Sequence, residues 1–312
     1  VTDRCDLRCT YCMPERMTFL PRKEVLSLEE LHKLALAMID RGISKIRLTG
    51  GEPLVRRDVI ELVQALGRKL GDGLEELTLT TNGTQLEQFA GDLAAAGVRR
   101  INVSLDTMDS TLFEQLSRRN RLAQVLQGIA AAKEAGLKVK LNTVALKGLN
   151  EAEIPYLVEW AHAQGHEMTL IEVMPLGEVE GERVDHYLPL TAIRDRLEQR
   201  WTLTESAHRS GGPARYVEIA ETGGRLGFIT PLTNNFCASC NRIRVTATGE
   251  LYACLGGAEK VDLRAALRSD APDANLAAAL DEAMRIKPER HHFRIERGQE
   301  PAQPRHMSLT GG

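Results

Sequence analysis

Single alternation of apolar and polar residues marks five short stretches of the chain, and helical apolar spacing marks the longer stretches between them. The alternating stretches, residues 44–49, 76–82, 100–105, 138–145 and 167–174, predict β-strands. Residues 28–40, 59–70, 86–96, 123–135 and 152–164 predict amphipathic helices. A sixth strand is expected ahead of Cys5. Gly42, Gly97, Gly136 and Gly165 each directly follow a helical stretch, where the C′ position favours glycine. Regular strand–helix alternation gives parallel strands joined by right-handed crossovers. The pattern predicts an α/β fold, open and doubly wound or closed into a barrel.

The strands carry a second signal. Parallel strands covered on both faces should be apolar throughout. Here Ile46 and Leu48 alternate with Arg47 and Thr49, and Leu77 and Leu79 with Thr78 and Thr80. Ile101, Val103 and Leu105 alternate with Asn102, Ser104 and Asp106. Val139 and Leu141 alternate with Lys140 and Asn142, and Ile171 and Val173 with Glu172 and Met174. An ordinary βα barrel fills its interior with branched apolar side chains. A polar interior must pair within itself, for instance Arg47 with Asp106, or enclose a polar ligand. Repetition in strand after strand favours a ligand chamber.

The pattern changes after Met174. Residues 175–188 read as a polar loop, 190–200 as one more helix, and 202–215 as a connection. Residues 216–229 predict a hairpin around Gly223 and Gly224. A second hairpin signal sits at Thr248-Gly249, pairing 243–247 with 250–253, and 263–267 and 276–284 look helical. The tail from Glu289 is charged. This divides the chain into residues 1–200 and 201–312.

Composition narrows the class. The chain has 312 residues, 43% hydrophobic, so it buries a core without covalent staples. Forty basic and 43 acidic residues leave a net charge of −3, which argues against a nucleic-acid binder. No run approaches the ~20 apolar residues of a membrane helix. A cytoplasmic setting is expected. The chain begins at Val1 rather than methionine, so residues upstream are expected.

The six cysteines fall into two sets of three. Cys5, Cys9 and Cys12 form a C-x3-C-x2-C run; Cys237, Cys240 and Cys254 form C-x2-C-x13-C. Three is odd for disulfides and one short of a structural zinc site. Short-spaced thiolates hold iron–sulfur clusters, and three of them on four irons leave one iron open to a small molecule. The first set has no histidine nearby until His32. At the second set zinc stays a competitor, with His291 or His292 as a distant fourth ligand. A zinc-stabilised interaction module is the non-enzymatic alternative.

Other motifs surround these sets. Gly50-Gly51-Glu52-Pro53 and Thr80-Thr81-Asn82-Gly83 end predicted strands, where ligands of βα barrels bind. Paired glycines there permit close backbone approach to a ligand. Arg242 and Arg244 flank Ile243 just after Cys240, so both guanidiniums face one way and suit a phosphate or a carboxylate, with a solvated strand face as the alternative. Arg118, Arg119 and Arg121 read as a solvated basic loop. The sequence ends in Gly311-Gly312.

Cys5-x3-Cys9-x-Tyr11-Cys12 with Gly50–Pro53 resembles the radical S-adenosylmethionine superfamily. Thr2–Pro14, Phe236–Arg244, Cys254 and the terminal Gly-Gly resemble, within it, the GTP 3′,8-cyclase (MoaA) family, over residues 2–312. Asp6 stands where that family usually has Asn, and the family's arginine-bearing N-terminal extension is absent from this chain. The resemblance implies an incomplete (β/α)6 barrel whose open side is covered by an α+β C-terminal part. It implies two 4Fe-4S clusters, on Cys5, Cys9 and Cys12 and on Cys237, Cys240 and Cys254. The first would bind S-adenosylmethionine, whose reductive cleavage yields a 5′-deoxyadenosyl radical that abstracts hydrogen from C3′ of GTP. The second would bind guanine, and the product is 3′,8-cyclo-7,8-dihydro-GTP, the first step of molybdenum cofactor biosynthesis. Tyr11, Gly51, Ser104 and Met174 match positions contacting S-adenosylmethionine. Arg47, Thr80, Lys140, Arg242, Ile243 and Arg244 match positions contacting GTP, and Gly311 and Gly312 are expected to assist catalysis. An external one-electron donor and the next enzyme, cyclic pyranopterin monophosphate synthase, are implied partners, and a homodimer is the assembly to test. A related enzyme that modifies a peptide is the rival enzymatic reading.

Overall fold

A computed structural model describes residues 1–179 and 183–311. The chain runs α1 (Leu28–Ile39), β1 (Lys45–Leu48), α2 (Val59–Gly67), β2 (Glu76–Thr81), α3 (Leu86–Ala95) and β3 (Arg100–Ser104). It continues through α4 (Ser110–Ser117), α5 (Leu122–Glu134), β4 (Lys138–Ala145), α6 (Ile154–Ala163) and β5 (Glu167–Glu172). All five expected strands and all five expected helices form, most ends shifting by one to three residues. Helix α4 is additional: Asp109 caps it by accepting from Leu112 N at 2.7 Å. Helix α1 starts at Ser27 with a reciprocal capping box to Glu30.

After β5 come α7 (Arg183–His186), α8 (Leu190–Glu198), β6 (Leu203–Ser206), β7 (Arg215–Ile219) and β8 (Gly224–Ile229). The sheet order is β1-β2-β3-β4-β5-β8-β7-β6. Strands β1 to β5 are mutually parallel, β8 adds parallel to β5, and β7 and β6 follow antiparallel. Strand β8, contributed by the expected hairpin, extends the parallel set at the β5 edge; the strand expected ahead of Cys5 belongs at the opposite edge, beside β1. There the backbone makes a single parallel bridge, Thr2 to Gly50. Residues 203–229 lie beyond residue 200 and still hydrogen-bond into the barrel sheet, and β6 forms inside the expected connection.

Leu77, Leu79, Ile101, Val103, Val139, Leu141, Met168 and Leu170 pack in one core cluster with Val63, Leu66, Leu93, Ile129 and Val158 of the outer helices. Register sets the opposite face: Arg47 lies beside Thr78, Thr80 beside Asn102, Asn102 beside Lys140, and Asn142 beside Thr169. One inversion follows. Met168 and Leu170 face the helices, so Glu172 shares their side rather than the interior. Its buried carboxylate accepts from Leu190 N, Leu232 N and Thr233 N and from Thr233 Oγ1.

A second sheet, β9 (Arg244–Val245), β10 (Glu250–Tyr252) and β11 (Lys260–Asp262), is antiparallel in the order β11-β10-β9. It carries α9 (Leu263–Leu267) and α10 (Pro272–Arg285). Leu251, Leu263, Leu276 and Leu280 pack with Leu26, Leu34 and Met38, which anchors this unit to α1. The tail ends in the single turn α11 (Met307–Thr310). Among the described residues, no helix is long and apolar enough to cross a membrane.

Candidate active site

The first cysteine loop is held by backbone on two sides. Gly51 N donates to Thr2 O at 2.9 Å and Glu52 N to Arg4 O at 2.8 Å, while Arg8 N and Thr10 N donate to Ser117 O and Leu116 O at 2.9 Å each. A Cβ on Gly50 or Gly51 would run into the carbonyl oxygens of Thr2 and Arg4. These glycines thus admit the chain's own cysteine loop. The expected solvated basic loop also proves structural. Arg118 donates to Arg8 O at 3.1 Å and Met13 O at 3.3 Å, and Arg121 reaches Asp6 at 3.5 Å. Asp6 further accepts from Asn82 Nδ2 and Thr84 Oγ1, both at 2.7 Å, so a carboxylate suits the position. Asn82 Nδ2 lies 3.7 Å from Cys5 Sγ.

Cys5, Cys9 and Cys12 are free and partly buried. Burial pushes the thiols of Cys5 to about 12, of Cys12 to about 11, and of Cys9 well above its ordinary value. Left to themselves these sulfurs stay protonated; bound iron deprotonates them outright. The donor set is all sulfur, as iron–sulfur clusters require. Among the described residues no three histidine, cysteine or acidic side chains gather as they would around a single ion. Three thiolates of this kind fit an iron–sulfur cluster with one iron left open.

Cys237, Cys240 and Cys254 form the second set, also free. A turn over Cys237–Ser239 brings Cys240 N to Cys237 O at 3.0 Å. Arg242 Nη2 lies 3.2 Å from Cys240 Sγ, and its guanidinium sits 5.0 Å from the Phe236 ring centroid. Burial opposes ionisation of Cys240, but the backbone and guanidinium of Arg242, with Lys287, outweigh it and hold the thiol below its ordinary range. These residues fit a second cluster.

Between the two sets lies the polar face of the barrel. Lys45 and Arg100 share Glu76, at 2.5 and 2.6 Å. Arg47 Nε is buried without a partner, and burial with the Arg100 charge lowers its guanidinium to about 10. The expected Arg47–Asp106 pair does not form. Asp106 instead accepts from Tyr11 Oη at 2.6 Å and Val144 N at 2.9 Å, because Tyr11 arrives on the cysteine loop. Lys140 is buried and donates to Tyr216 Oη at 3.3 Å. Burial, then Arg100 and Arg47, lowers its ammonium to about 7. Thr80 Oγ1 receives only a long bond, 3.4 Å, from Asn102 Nδ2. Asn102 Oδ1, Asn142 Oδ1 and Thr169 Oγ1 are buried without partners. Crowded cations beside orphaned polar atoms define a chamber for a polar anion.

The tail closes it. Arg244 Nη1 donates to Gly311 O at 2.7 Å and Thr310 O at 3.2 Å. Gly311 has φ +75°, and a Cβ there would run into Thr49 Cγ2 at the end of β1. Gly312 lies outside the described residues. Burial, then Arg242 and Arg47, lowers the Arg244 guanidinium to about 10, so these three arginines share one field. Ile243 is the exception among the expected contacts: its side chain packs into the cluster between α1 and the second sheet. Alternation along the strand sends Arg242 and Arg244 one way and Ile243 the other. Ser104 sits opposite Asn142 on the inner face, and Met174 follows the end of β5. Lys45, Arg100 and Tyr216 carry no motif in the sequence, and Glu52 is marked there only as a member of its loop motif. Glu52 is fully buried, accepts from Asn82 N at 2.6 Å, Thr81 Oγ1 at 2.8 Å and Leu54 N at 3.0 Å, and is raised by burial to about 7. Its place in the Gly-Gly-Glu-Pro motif was the available signal.

A parallel partial barrel bearing three free thiols at the Gly50–Gly51 loop defines the class of radical S-adenosylmethionine enzymes, and the model of the Radical SAM superfamily matches residues 1–161. The model Molybdenum Cofactor Synthesis C matches residues 166–293. Solved structures share the fold. SuiB of Streptococcus suis bound to S-adenosylmethionine aligns with a TM-score of 0.64 at 18% identity, over 91% of this chain and 66% of that one. The anSMEcpe structure with bound AdoMet aligns at 0.59 and 15%, over 89% and 81%. At the sequence level the chain is 73% identical to the GTP 3′,8-cyclase of Erythrobacter litoralis (strain HTCC2594), over all of this chain and 94% of that protein. It is 60% identical to the GTP 3′,8-cyclase of Rhizobium meliloti (strain 1021), over all of this chain and 90% of that protein. The chain belongs to the GTP 3′,8-cyclase family, radical S-adenosylmethionine enzymes of molybdenum cofactor biosynthesis that carry two 4Fe-4S clusters. Neither the zinc-stabilised module nor the peptide-modifying rival survives this full-length match.

Proposed function

We propose that this chain binds GTP in the barrel chamber and closes the 3′,8 bond there, with the roles divided between the two cysteine sets. The unneutralised cation group at Arg47, Lys140, Arg242 and Arg244 carries this reading, because a triphosphate is the polyanion it suits. Cys5, Cys9 and Cys12 hold the first cluster, and Cys237, Cys240 and Cys254 the second. A cluster held by Cys5, Cys9 and Cys12 would supply the reducing electron for cleavage of S-adenosylmethionine bound beside it. Tyr11, Gly51, Ser104 and Met174 line the S-adenosylmethionine side. Thr80 and the free amide oxygens of Asn102 and Asn142 offer partners to ribose and base. The Gly311–Gly312 end of the tail assists catalysis. An external one-electron donor feeds the reaction, and the product passes to cyclic pyranopterin monophosphate synthase. Anaerobic incubation of the reduced holoenzyme with S-adenosylmethionine and GTP tests this. 5′-Deoxyadenosine and the cyclised nucleotide should rise together; 5′-deoxyadenosine indifferent to GTP would defeat the assignment.

Two site predictions follow from the charges. Arg242→Ala is expected to weaken GTP binding by about 1.5–3 kcal/mol, the worth of a charge-assisted bond, and to leave S-adenosylmethionine binding nearly unchanged. Calorimetric titration with each ligand checks it, and equal losses would contradict it. Lys140 supplies a pH signature. Its ammonium is lowered to about 7, so at pH 8 the free enzyme holds it mostly neutral. An arriving phosphate favours the charged form and raises that value again. GTP binding at pH 8 should therefore take up roughly one proton, and affinity should fall as pH rises above 7. Calorimetry in buffers of different ionisation heat reads the uptake; Lys140→Met should abolish it.

A further inference from the structure

The second cysteine set sits where two strands part. Strands β9 and β10 pair at Leu251 with Val245 and at Tyr252 with Arg244, and the ladder stops there. Continued antiparallel, it would place Ala253 opposite Ile243 and Cys254 opposite Arg242. The strands diverge instead, and the carbonyls of Arg242 and Ala253 are left without ladder partners. Lys287 Nζ donates to both, to Arg242 O at 2.9 Å and to Ala253 O at 2.5 Å. Cys240 lies two residues before Arg242, and Cys254 directly follows Ala253. One ammonium thus ties the two segments that carry these sulfurs.

Its own placement is rigid. Lys287 follows the end of α10, whose Leu276 and Leu280 are buried against α1, and Pro288 fixes the next backbone turn. The side chain is half-buried, so its charge acts through little water. An ammonium has three donors and suits two convergent carbonyls.

We propose that Lys287 is a positioning residue for the second cluster: it sets the separation of the Cys240 and Cys254 segments and holds a fixed positive charge beside the thiolates. This rests on Cys237, Cys240 and Cys254 holding that cluster. A fixed cation near an anionic cluster favours its reduced form, so losing the charge lowers the reduction potential.

The test compares wild type, Lys287→Met, Lys287→Gln, Lys287→Arg and Cys254→Ala, all reconstituted anaerobically as full chains. Iron content, the electron paramagnetic resonance of each reduced cluster, its potential in a redox titration, and GTP and S-adenosylmethionine affinities are read. Lys287→Met should keep the first cluster's signal and S-adenosylmethionine affinity. It should lose or broaden the second signal, lower its potential, and weaken GTP binding by about tenfold to a hundredfold. Lys287→Arg, which keeps charge and donors, should recover most of this. A wild-type second signal, potential and GTP affinity in Lys287→Met would overturn the proposal. Should that variant not fold, Lys287→Gln decides: full iron with a lowered potential supports the role, an unchanged potential ends it. Cys254→Ala separates the underlying reading. If it retains about eight irons and the second signal, the ligand assignment itself fails, whatever Lys287 does.

Discussion

Cys5→Ala should abolish the formation of 5′-deoxyadenosine, with or without GTP. Three thiols supply the donor set of the first loop, and Cys5→Ala leaves only two of them. Asn82 Nδ2 lies 3.7 Å from Cys5 Sγ, and an amide does not substitute for a thiolate on iron. The variant should still fold. The loop is held by backbone bonds from Gly51, Glu52, Arg8 and Thr10 that do not involve the sulfur. Iron should fall from about eight to about four per chain, and GTP binding should persist through the second set. Chromatographic assay of S-adenosylmethionine cleavage beside iron analysis reads both. Residual cleavage at wild-type iron content would remove Cys5 from the ligand set.

Gly311→Ala should cost product formation about a hundredfold, the scale of an ångström-sized misplacement in an active site, while leaving both clusters in place. Two independent obstacles act at this position. The backbone lies at φ +75°, where a side chain is strained, and the new methyl would collide with Thr49. The tail must lift, and the Gly311 and Thr310 carbonyls then leave Arg244. Freed Arg244 still meets a phosphate, so GTP affinity should change little. The signature is intact GTP and S-adenosylmethionine binding, 5′-deoxyadenosine still formed, and little cyclised product. If product formed at the wild-type rate, the tail would have no part in the chemistry. A parallel drop in GTP affinity would place Gly311 in substrate binding instead.

Much of this molecule was legible along the chain. Strand alternation depends on local sequence alone, so β1 to β5 and their helices could be placed within a few residues. The cysteine spacings needed no fold to be recognised, because ligands close in sequence are close in space. The polar interior was visible for the same reason, as one parity of each strand. Parity failed once, at β5. Ile171 and Val173 suggested the wrong face, and only the burial of Met168 and Leu170 behind α6 and α8 shows Glu172 turned outward.

What sequence could not supply is what long-range contact decides. Strand β8 joins the parallel sheet 52 residues after β5 ends, because a hairpin can dock wherever an edge stands open. Glycines 50 and 51 admit Thr2 and Arg4 from the chain itself, and Arg118 braces a loop more than 100 residues away. The partners of Asp106 and Arg47 were likewise unreadable: which polar group meets which depends on where strands and loops converge. By itself the sequence determined the strand–helix order, both sulfur sets and the residue types of the chamber, since these follow from local periodicity and spacing. Tertiary structure alone brought Arg47, Arg242, Arg244 and the Gly311 tail into one field, because charges far apart along the chain interact only through the folded distances between them.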